Sequence, residues 1–552
     1  MKDIVLKYAL QNAVRHDGKA SADAVIAKVL GTSPLLKSNI KELQQEVSKA
    51  INEINSLTIE EQEKRLSQIA PELLEEHKKD ETKTLPELPD ANKGIVMRIA
   101  PFPSGALHIG NAYTCIINDE YSKKYNGKLL LIIDDTIGSD EKPISKDAYK
   151  LIPEGLEWLG IKFERSIIYK SDRLEIYYEY AKELISKNKA YVCFCNAEKL
   201  RENRAKGIEC SCRNNPIERN LKEFDRMINK KCKEGSAVLR IKTGMQDPNP
   251  AFRDRVLFRI SEKSHPRVKK KYRAWPLLEF SWAVDDHLLG ITHVIRGKEL
   301  MIESQMEKYI WDILNWPSPV LIHSGLLQIE GIKISKSKAR KEVESGEYTG
   351  WDDPRTWSLQ SLKRRGFEPE SIRKLFLSIG LTRAEITVPI ESLHTENRRI
   401  IDRKCSRYFF IENPKKIKIT GTKKMKVEVP LHPDFSERGH RKFSTTDEFY
   451  ISDNLEQGKT YRFMNLFNFK DNEFISKEHD SNQSAKLIHW LPASENLVNI
   501  EVLMPDGTIK KGLGEKSLKK LKKGDQVQFI RFGFVKLDKK EKGSLTFWYT
   551  HN

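Results

Sequence analysis

The sequence predicts a multidomain fold in which an α/β core, interrupted by an inserted domain, lies between helical segments and an all-β C-terminal region. Three observations predict it. The chain has 552 residues, which is too long for a single hydrophobic core. A strand, glycine turn, helix and strand pattern begins near residue 94. Short alternating strands replace that pattern after about residue 408.

The expected domain boundaries follow these changes in pattern. They are an N-terminal helical accessory module over residues 1–90, the first half of the core over 91–192, an inserted domain over 193–276, the second half of the core over 277–350, a helical connector over 351–405, and one or two β-barrels over 406–552. In the first module, Leu43, Val47, Ile51 and Ile54 share one helical face. Charged residues and two prolines in residues 78–90 indicate a linker.

The α/β core is predicted from residues 94–135. Residues 94–100 form a buried-strand run, a turn with proline and glycine follows, and residues 107–125 have a helical pattern before a second apolar run, 129–133. Parallel strands joined through a helix form the βαβ unit of a Rossmann-like nucleotide-binding domain. Two further apolar runs, 281–284 and 291–295, are expected to be strands that complete the sheet.

The C-terminal region has short runs of alternating polar and apolar residues, separated by Gly, Asp and Lys. The candidate strands are residues 416–419, 426–429, 526–530 and 544–548. Strands of this length and spacing favour one or two β-barrels.

The chain is strongly basic, with a formal net charge of +18 and a pI near 9.3. Such an excess in a large protein favours a polyanionic partner, and nucleic acid is the commonest one. No apolar run has the ~18 residues of a membrane helix. Lys7 interrupts the N-terminus too early for a signal peptide. We therefore expect a cytoplasmic protein without a membrane partner.

Two segments have the residue types of a phosphate-binding site. Residues 103–111, which contain Gly105, His108 and Gly110, lie between a strand and a helix, where the helix N-terminus offers N–H groups and its dipole to phosphate. Residues 333–337 (Lys-Ile-Ser-Lys-Ser) form a basic loop about 220 residues later. Taken alone, the first segment is more often explained by a structural histidine, and the second by a solvated lysine loop.

Together and in this order, the two segments resemble the HIGH and KMSKS signatures of class I aminoacyl-tRNA synthetases. Other segments narrow the resemblance to the archaeal-type glutamyl-tRNA synthetases, within the glutamyl/glutaminyl branch of that class. These segments are residues 98–105, 134–136, 171–173, 285–299, 351–355 and 364–366. The resemblance covers residues 90–470 well and the remainder more loosely.

The resemblance implies activation of L-glutamate with ATP and Mg²⁺, followed by transfer of the glutamyl group to tRNA. Such a reaction needs positioning and charge stabilisation rather than covalent help from the protein. His108 would donate to the phosphates on one side, and Lys333 and Lys336 would close over pyrophosphate on the other. The implied catalytic residues are His108, Asn111, Lys333, Ser335 and Lys336. The other implied ATP-binding residues are Pro101, Phe102, Pro103, Ser104, Gly105, Ala106, Leu107, Ile109, Gly110, Ile334 and Ser337.

The resemblance also implies an amino-acid pocket. Arg98 matches an arginine that faces the side chain or the α-carboxylate of the substrate. Asp134 or Asp135 would hold the α-ammonium group, and Arg296 could face a carboxylate.

Three positions depart from the family pattern. Asn111 replaces the second histidine of the HIGH signature, Ile132 stands where an arginine is usual, and Leu278 replaces a tyrosine that touches the substrate. These departures, with Trp282 nearby, leave the detail of the amino-acid pocket open.

Four of the seven cysteines form a CxC-x14-CxC cluster: Cys193, Cys195, Cys210 and Cys212. Four thiolates suit a closed tetrahedral zinc site with a structural role. Free thiols are the alternative. Relatives with this cluster bind zinc in the domain that meets the tRNA acceptor stem, so the resemblance implies the same role for residues 193–276.

Three basic segments are candidate RNA surfaces: residues 267–273, residues 398–407 before Tyr408 and Phe409, and residues 510–523. Lys and Arg neutralise phosphates, while aromatic rings beside them stack unpaired bases. Each segment could equally be a solvated face. The resemblance implies that the barrels bind the anticodon and that residues 1–90 are an RNA-binding accessory.

The leading hypothesis is therefore a monomeric glutamate–tRNA ligase that charges tRNA(Glu), with tRNA(Gln) left open. A glutaminyl-tRNA synthetase is the alternative, because both share this architecture. A non-catalytic RNA-binding paralogue is a third hypothesis, prompted by Asn111, Ile132 and Leu278. The intact Lys333 and Lys336 argue against it.

Overall fold

A computed structural model describes residues 2–15, 18–33, 36, 39–70, 73, 85–91, 94–138, 143–332, 336–478 and 485–552, without the side chains of residues 15, 27, 31 and 336. The chain divides into two compact units, Met1–Thr84 and Leu85–Asn552. None of the helices in the described ranges combines the length and the apolar character that crossing a membrane requires.

Within the described residues, the first unit consists of helices packed around one core. They are α1 (Lys2–Arg15), α2 (Ala22–Thr32), α3 (Ile40–Ile54) and α4 (Ile59–Ile69). Helix α3 buries Leu43, Val47 and Ile54, which are three residues of the predicted apolar face. Helix α4 begins with a capping box, in which the Thr58 N–H donates to the Glu61 carboxylate at 2.9 Å and the Glu61 N–H donates to the Thr58 hydroxyl at 3.3 Å. Residues 78–84 of the expected linker lie outside the described residues.

The second unit begins with alternating strands and helices. In chain order they are β1 (Val96–Ile99), α5 (Ile109–Lys124), β2 (Lys128–Ile133), α6 (Ala148–Trp158), β3 (Ile168–Tyr169), α7 (Leu174–Ser186), β4 (Ala190–Cys193), α8 (Ala197–Lys206), α9 (Ile217–Ile228), β5 (Val238–Ile241), β6 (Val256–Ile260), β7 (Ala274–Pro276), α10 (Leu278–Leu288), β8 (His293–Gly297), α11 (Met301–Leu314), β9 (Val320–Ser324), β10 (Leu327–Ile329), α12 (Lys336–Glu344), α13 (Leu359–Arg365), α14 (Pro369–Ile379), β11 (Ile386–Val388) and α15 (Ile390–Ile401).

The core of this unit is a parallel sheet. Strand β1 pairs in parallel with β2, β2 with β3, and β8 with β9. The two parts of the sheet meet where the Thr292 N–H donates to the Val96 carbonyl at 2.9 Å. The strand order is therefore β3-β2-β1-β8-β9, with a reversal between β1 and β8. Doubly wound sheets of this kind bind ligands at the carboxyl ends of the strands beside the reversal.

The predicted βαβ unit corresponds to β1, α5 and β2, but one expected strand is absent. Residues 281–284 lie in the middle of α10, so that prediction is wrong. Helix α10 is buried continuously from Glu279 to Asp286, and its apolar residues therefore show no helical period. The other expected strand, 291–295, overlaps β8.

The inserted region forms an antiparallel sheet of order β4-β5-β6-β7, accompanied by α8 and α9. Its first strand begins at Ala190, three residues before the expected start of the inserted domain. Cys193 is therefore the last residue of that strand. The connector consists of α13, α14 and α15. Strand β11 pairs in parallel with β10 and so joins the connector to the core.

The C-terminal region is built from short strands. In chain order they are β12 (Ser406–Tyr408), β13 (Phe410–Glu412), β14 (Lys415–Lys418), β15 (Met425–Pro430), β16 (His440–Thr445), β17 (Glu448–Ile451), β18 (Thr460–Phe463), β19 (Asn468–Lys470), β20 (Glu473–Ser476), β21 (Lys486–Ile488), β22 (Leu491–Pro492), β23 (Val498–Leu503), β24 (Ile509–Gly514), β25 (Gln526–Phe529), β26 (Gly533–Glu541) and β27 (Ser544–His551). All four strands expected from the sequence are present.

One sheet of the C-terminal region closes on itself. Its order is β12-β25-β26-β27-β23-β24-β13, and its two edge strands are separated in sequence by Phe409 alone. The shared segment serves two cores, because Tyr408 and Phe410 pack into one core while Phe409 and Ile411 pack into the other. The region therefore contains a closed barrel and a second β-domain, and the segment 406–412 contributes side chains to the cores of both.

The closed barrel is fastened to the connector by buried polar contacts. Arg365 of α13 is 1% exposed and donates to the carbonyl oxygens of Tyr549 at 3.2 Å and Thr550 at 3.0 Å. Its neighbour Arg364 binds the Asp538 carboxylate through two nitrogens at 2.9 and 2.7 Å. Strand β27 is thereby held against α13.

Candidate active site and RNA interface

The predicted phosphate-binding loop joins β1 to α5 at the reversal of the sheet. Helix α5 begins directly after His108, and the His108 N–H donates to the Asn111 side-chain oxygen at 3.3 Å. Asn111 thus caps the first turn of the helix. The segment before α13 holds the loop, because the Leu359 N–H donates to the Leu107 carbonyl at 2.9 Å and the Ile109 N–H donates to the Trp357 carbonyl at 3.2 Å.

Gly105 allows this loop to lie against Trp351. Its φ is +143°, and a Cβ at this position would lie 2.0 Å from the Trp351 ring. The same ring packs with Ala106 of the loop and with Ala339 of α12. Helix α12 follows the predicted KMSKS-like loop, so Trp351 brings the two predicted nucleotide motifs to one side of the sheet.

The basic loop itself is described only in part. Lys333, Ile334 and Ser335 lie outside the described residues, as does the side chain of Lys336. Ser337 is exposed at the start of α12. The predicted roles of these five residues remain predictions.

The two predicted arginines of the amino-acid pocket come together around Trp282. Arg98 lies near the end of β1 and Arg296 near the end of β8, and their guanidinium carbons stand 4.7 and 5.0 Å from the Trp282 ring centre. Lys170 stands 5.0 Å from the same ring centre. We call these residues and their carboxylate partners the Trp282 cluster. It lies at the edge of the sheet where a doubly wound fold binds its ligand.

The cations of the Trp282 cluster are paired internally. Arg98 donates through two nitrogens to Asp286, one of them at 2.9 Å. Arg296 donates to Glu307 at 2.8 and 2.6 Å. Burial raises the pKa of the Glu307 carboxyl to about 7. The predicted arginines therefore lie within a closed network of charges.

The two predicted aspartates have different surroundings. Asp135 accepts hydrogen bonds from the Ser171 N–H and hydroxyl, both at 2.8 Å, and from the Tyr149 hydroxyl at 2.9 Å, so it holds the loop after β3 in place. Burial nevertheless raises the pKa of Asp135. Asp134 contacts Lys170 at 3.3 Å through one oxygen. Its other oxygen is buried and has no hydrogen-bond partner among the described residues.

Two buried donors of the cluster are also unsatisfied. Within the described part of the chain, neither Trp282 Nε1 nor Arg296 Nε has a hydrogen-bond acceptor. Buried polar atoms are rarely left without partners, and such atoms indicate an absent ligand or water. Among the described residues of the cluster, the unsatisfied buried polar atoms are therefore Trp282 Nε1, Arg296 Nε and Asp134 Oδ2.

The sequence did not identify Lys170, Asp286 or Glu307 as part of this site. Each of these residues pairs with a residue that is distant along the chain, or lies on a helix whose sequence is ordinary. No local sequence pattern therefore indicates these ion pairs. One signal was available for Lys170, which directly follows β3 as Asp134 follows β2.

The four clustered cysteines meet the geometric requirement for one metal ion. Their Sγ atoms all lie within 4.8 Å of one another, and Cys193 Sγ is 3.8 Å from Cys210 Sγ. Tetrahedral zinc with Zn–S bonds of about 2.3 Å separates its ligands by about 3.8 Å. Arg240 Nη1 lies 3.8 and 3.9 Å from these two sulfurs, where it offsets thiolate charge. The donor set fits zinc.

The basic excess of the chain lies in the second unit. Residues 1–84 carry 13 Lys and Arg against 14 Asp and Glu, so the remaining residues carry a net charge of +19. A polyanionic partner is therefore expected on the second unit, and the charge of residues 1–84 gives no support to their predicted role in RNA binding.

Arginine side chains line a cavity of about 430 Å³ between the closed barrel and the second β-domain. Its polar lining residues are Arg407, Arg441, Arg462, Asn465, Gln528 and Arg531. Among the residues that the structure describes, no carboxylate lines this cavity. We call this cavity the junction pocket. Among the candidate RNA segments, only residues 398–407 contribute to it, through Arg407.

The predicted aromatic partners of the basic segments are buried. Tyr272, Tyr408 and Phe409 are 8%, 7% and 0% exposed, so their rings have no open face on which a base could stack. That part of the prediction is wrong, because these rings fill domain cores. In residues 510–523, Lys510 and Lys511 pair with carboxylates at 2.9 and 2.8 Å on the barrel surface.

A doubly wound sheet with HIGH-like and KMSKS-like segments on either side of an inserted domain, followed by β-domains, defines a class I aminoacyl-tRNA synthetase. The chain belongs to the class I tRNA synthetases of the E and Q family. The catalytic-domain model of that family matches residues 94–403, and two models of its anti-codon binding domain match residues 405–489 and 487–538.

Relatives that match over their full length are glutamate–tRNA ligases. The glutamate–tRNA ligase of Methanocaldococcus jannaschii is 40% identical, and that of Pyrococcus furiosus is 44% identical; both alignments cover 100% of this chain and 100% of the relative. A crystal structure of the glutamate-tRNA synthetase from Elizabethkingia anophelis matches 56% of this chain and 71% of its own, at 21% identity and a TM-score of 0.40. This structural similarity is too low to support a statement about fold or function.

Proposed function

We propose that this chain is a glutamate–tRNA ligase, which forms glutamyl-AMP and pyrophosphate from ATP and glutamate and then esterifies tRNA. Full-length relatives of that name at 40–44% identity support the activity. The Trp282 cluster is the proposed site of amino-acid activation. Its unsatisfied atoms match the charged groups of an amino acid, and it lies beside the phosphate-binding loop. The enzyme is proposed to act as a cytoplasmic monomer.

ATP is proposed to bind along the loop between β1 and α5, with its phosphates at the N-terminus of α5. The dipole of α5 favours phosphate at that position, and the His108 side chain is proposed to donate to it. Lys333 and Lys336 would supply positive charge for the departing pyrophosphate, and Mg²⁺ that accompanies ATP would offset phosphate charge. These groups stabilise charge that develops in the transition state, which is how such reactions are accelerated.

Glutamate is proposed to bind in the Trp282 cluster. Its α-ammonium group takes the free oxygen of Asp134, and its carboxylates accept from Trp282 Nε1 and Arg296 Nε. The cations around the Trp282 ring favour a substrate with two carboxylates over the neutral amide of glutamine. The glutaminyl alternative and the non-catalytic alternative are both less well supported, because the full-length relatives named here are glutamate–tRNA ligases.

The inserted domain is proposed to meet the acceptor stem and to be stabilised by zinc on Cys193, Cys195, Cys210 and Cys212. Zinc bound by four thiolates supplies folding free energy and no open coordination position. Elemental analysis of the purified protein should return one zinc per chain. A content well below one, with four freely reactive thiols, would contradict the proposal.

The junction pocket is proposed to receive the anticodon of tRNA(Glu). Its arginines suit phosphates and base acceptors, while Asn465 and Gln528 offer both donors and acceptors to a base edge. Whether tRNA(Gln) is also charged depends on how this pocket reads the anticodon. Charging assays with both tRNAs decide it directly.

The activity is tested by ATP–pyrophosphate exchange with glutamate and with glutamine, each with and without tRNA. Exchange should require glutamate. Exchange with glutamine alone would establish the glutaminyl alternative. Exchange with neither amino acid, in protein that still binds tRNA, would establish the non-catalytic one.

A further inference from the structure

Lys170 occupies an unusual position for a lysine. It directly follows β3, at the same edge of the sheet as Asp134, and its side chain is fully buried. Its ammonium group donates to the Ser281 hydroxyl at 2.9 Å and lies 3.3 Å from a carboxylate oxygen of Asp134. Burying an ammonium group is costly unless it is paired, so such a residue is retained for a reason.

The charge pairs around Lys170 show that it is the least firmly paired cation of the cluster. The other pairs are Arg98 with Asp286, Arg173 with Asp285, and Arg296 with Glu307. Their contacts measure 2.6 to 2.9 Å, apart from one that is shorter. Lys170 faces Asp134 at the longer distance of 3.3 Å.

A bound amino acid would change the balance of positive and negative charge around Lys170. In the proposed function, the α-ammonium group of the substrate takes Asp134, which is the carboxylate that faces Lys170. Asp134 then serves two cations, the substrate ammonium group through Oδ2 and Lys170 through Oδ1, so a further negative charge beside Lys170 is favoured. The side-chain carboxylate of glutamate supplies that charge, whereas the amide of glutamine does not.

We propose that Lys170 binds the side-chain carboxylate of glutamate and is the residue that rejects glutamine. This inference rests on the proposed function. The Ser281 hydroxyl positions the ammonium group before and after substrate binds, and the Trp282 ring beside it excludes water. A buried site built around one polar group of a substrate rejects an analogue without that group by about a hundredfold or more.

The experiment compares Lys170→Gln and Lys170→Arg with the unmodified enzyme in ATP–pyrophosphate exchange, with tRNA present and with glutamate or glutamine as substrate. Lys170→Gln should lower kcat/KM for glutamate by about a hundredfold, mainly through KM, and leave glutamine use unchanged or improved. Lys170→Arg keeps the charge and should stay within about tenfold of the unmodified enzyme. Lys187→Met, at an exposed lysine that follows α7, is the matched control and should change neither substrate.

A purely structural role for Lys170 predicts a different result. Glutamate and glutamine use would then fall together in Lys170→Gln, or the KM for ATP would rise with them, and either outcome overturns the inference. If Lys170→Gln does not fold, Ser281→Ala removes only the positioning hydroxyl. It should lower the glutamate-to-glutamine ratio several-fold, and an unchanged ratio overturns the inference. Failure of the unmodified enzyme to activate glutamate would instead contradict the proposed function itself.

Discussion

The Trp282 cluster and the junction pocket are both rich in arginine, yet they differ in where the carboxylates that pair with the arginines lie. In the cluster, Arg98 and Arg296 are buried and each is bound to its own carboxylate. In the junction pocket, Arg407, Arg441 and Arg531 also pair with carboxylates, those of Asp402, Glu515 and Asp453, but these carboxylates are not among the described residues that line the cavity. A balanced network suits a small charged substrate, which binds by exchanging partners. A cavity whose described lining is cationic, with the paired carboxylates outside that lining, suits a polyanion, which binds by releasing its counterions.

The largest expected effect breaks the balance of the cluster. Arg98→Met leaves Asp286 as a buried carboxylate without its partner, and should lower the free energy of unfolding by about 3–5 kcal/mol. Urea unfolding measures it. Arg226→Met removes an exposed pair with Glu223 and should cost less than about 1 kcal/mol. Equal effects of the two substitutions would show that burial of the pair has no special importance.

The next effect lies at the phosphate-binding side of the cluster. His108→Ala and Lys336→Ala should each slow glutamate activation by about a hundredfold, because each removes one charge-stabilising donor. Affinity for tRNA, measured by filter binding, should change less than about threefold. Near-normal pyrophosphate exchange in either variant would remove that residue from the catalytic machinery.

The junction pocket should respond in the opposite sense. Arg462→Gln should raise the KM for tRNA by about tenfold and reduce the log–log salt dependence of binding by about one unit, with glutamate activation at saturating tRNA nearly unchanged. Lys442→Gln, at an exposed lysine paired with Glu428, is the control. A loss of activation in Arg462→Gln that saturating tRNA does not restore would contradict the separation between the two regions.

The smallest effect concerns pH. Burial raises the pKa of Glu307 to about 7 from an ordinary value of 4.5, so the folded chain holds a proton that the unfolded chain releases. The contribution of Glu307 to the free energy of unfolding should therefore fall as the pH rises from about 4.5 to about 7. Below pH 7, Arg296 keeps its charge while Glu307 is neutral. The KM for glutamate should then fall about threefold between pH 8 and pH 6, and Glu307→Gln should flatten that profile.

The sequence predicted well those parts of the site that local patterns specify. The strand before the phosphate-binding loop, α5 and the quartet from Cys193 to Cys212 follow from residue spacing alone. The partners of the arginines did not follow, because Arg98 and Asp286 lie 188 positions apart. The sequence assigns no role to Trp282. It also predicts a strand over residues 281–284, which is wrong, because a helix that is buried on every side has no polar face to reveal its helical period.

The junction pocket shows the same limit in another form. Arg407 lies in a predicted basic segment, but Arg441, Arg462 and Arg531 are each isolated in sequence and meet only when the strands pair. Density of charge along the chain also indicated residues 510–523, where Lys510 and Lys511 pair with carboxylates on the barrel surface. Clustering in space, rather than clustering in sequence, marks the candidate RNA surface.

The contact of Arg365 with the carbonyl oxygens of Tyr549 and Thr550 holds the closed barrel against the connector. A hinged barrel would let the anticodon end of any RNA find its pocket independently of the acceptor end. With α13 and β27 joined by a buried guanidinium, the second contact becomes an intramolecular event whose effective concentration depends on the shape of the RNA. An RNA whose two arms do not reach both binding regions gains from one contact only. In the proposed function, the enzyme would therefore select RNA molecules by the distance between their two ends.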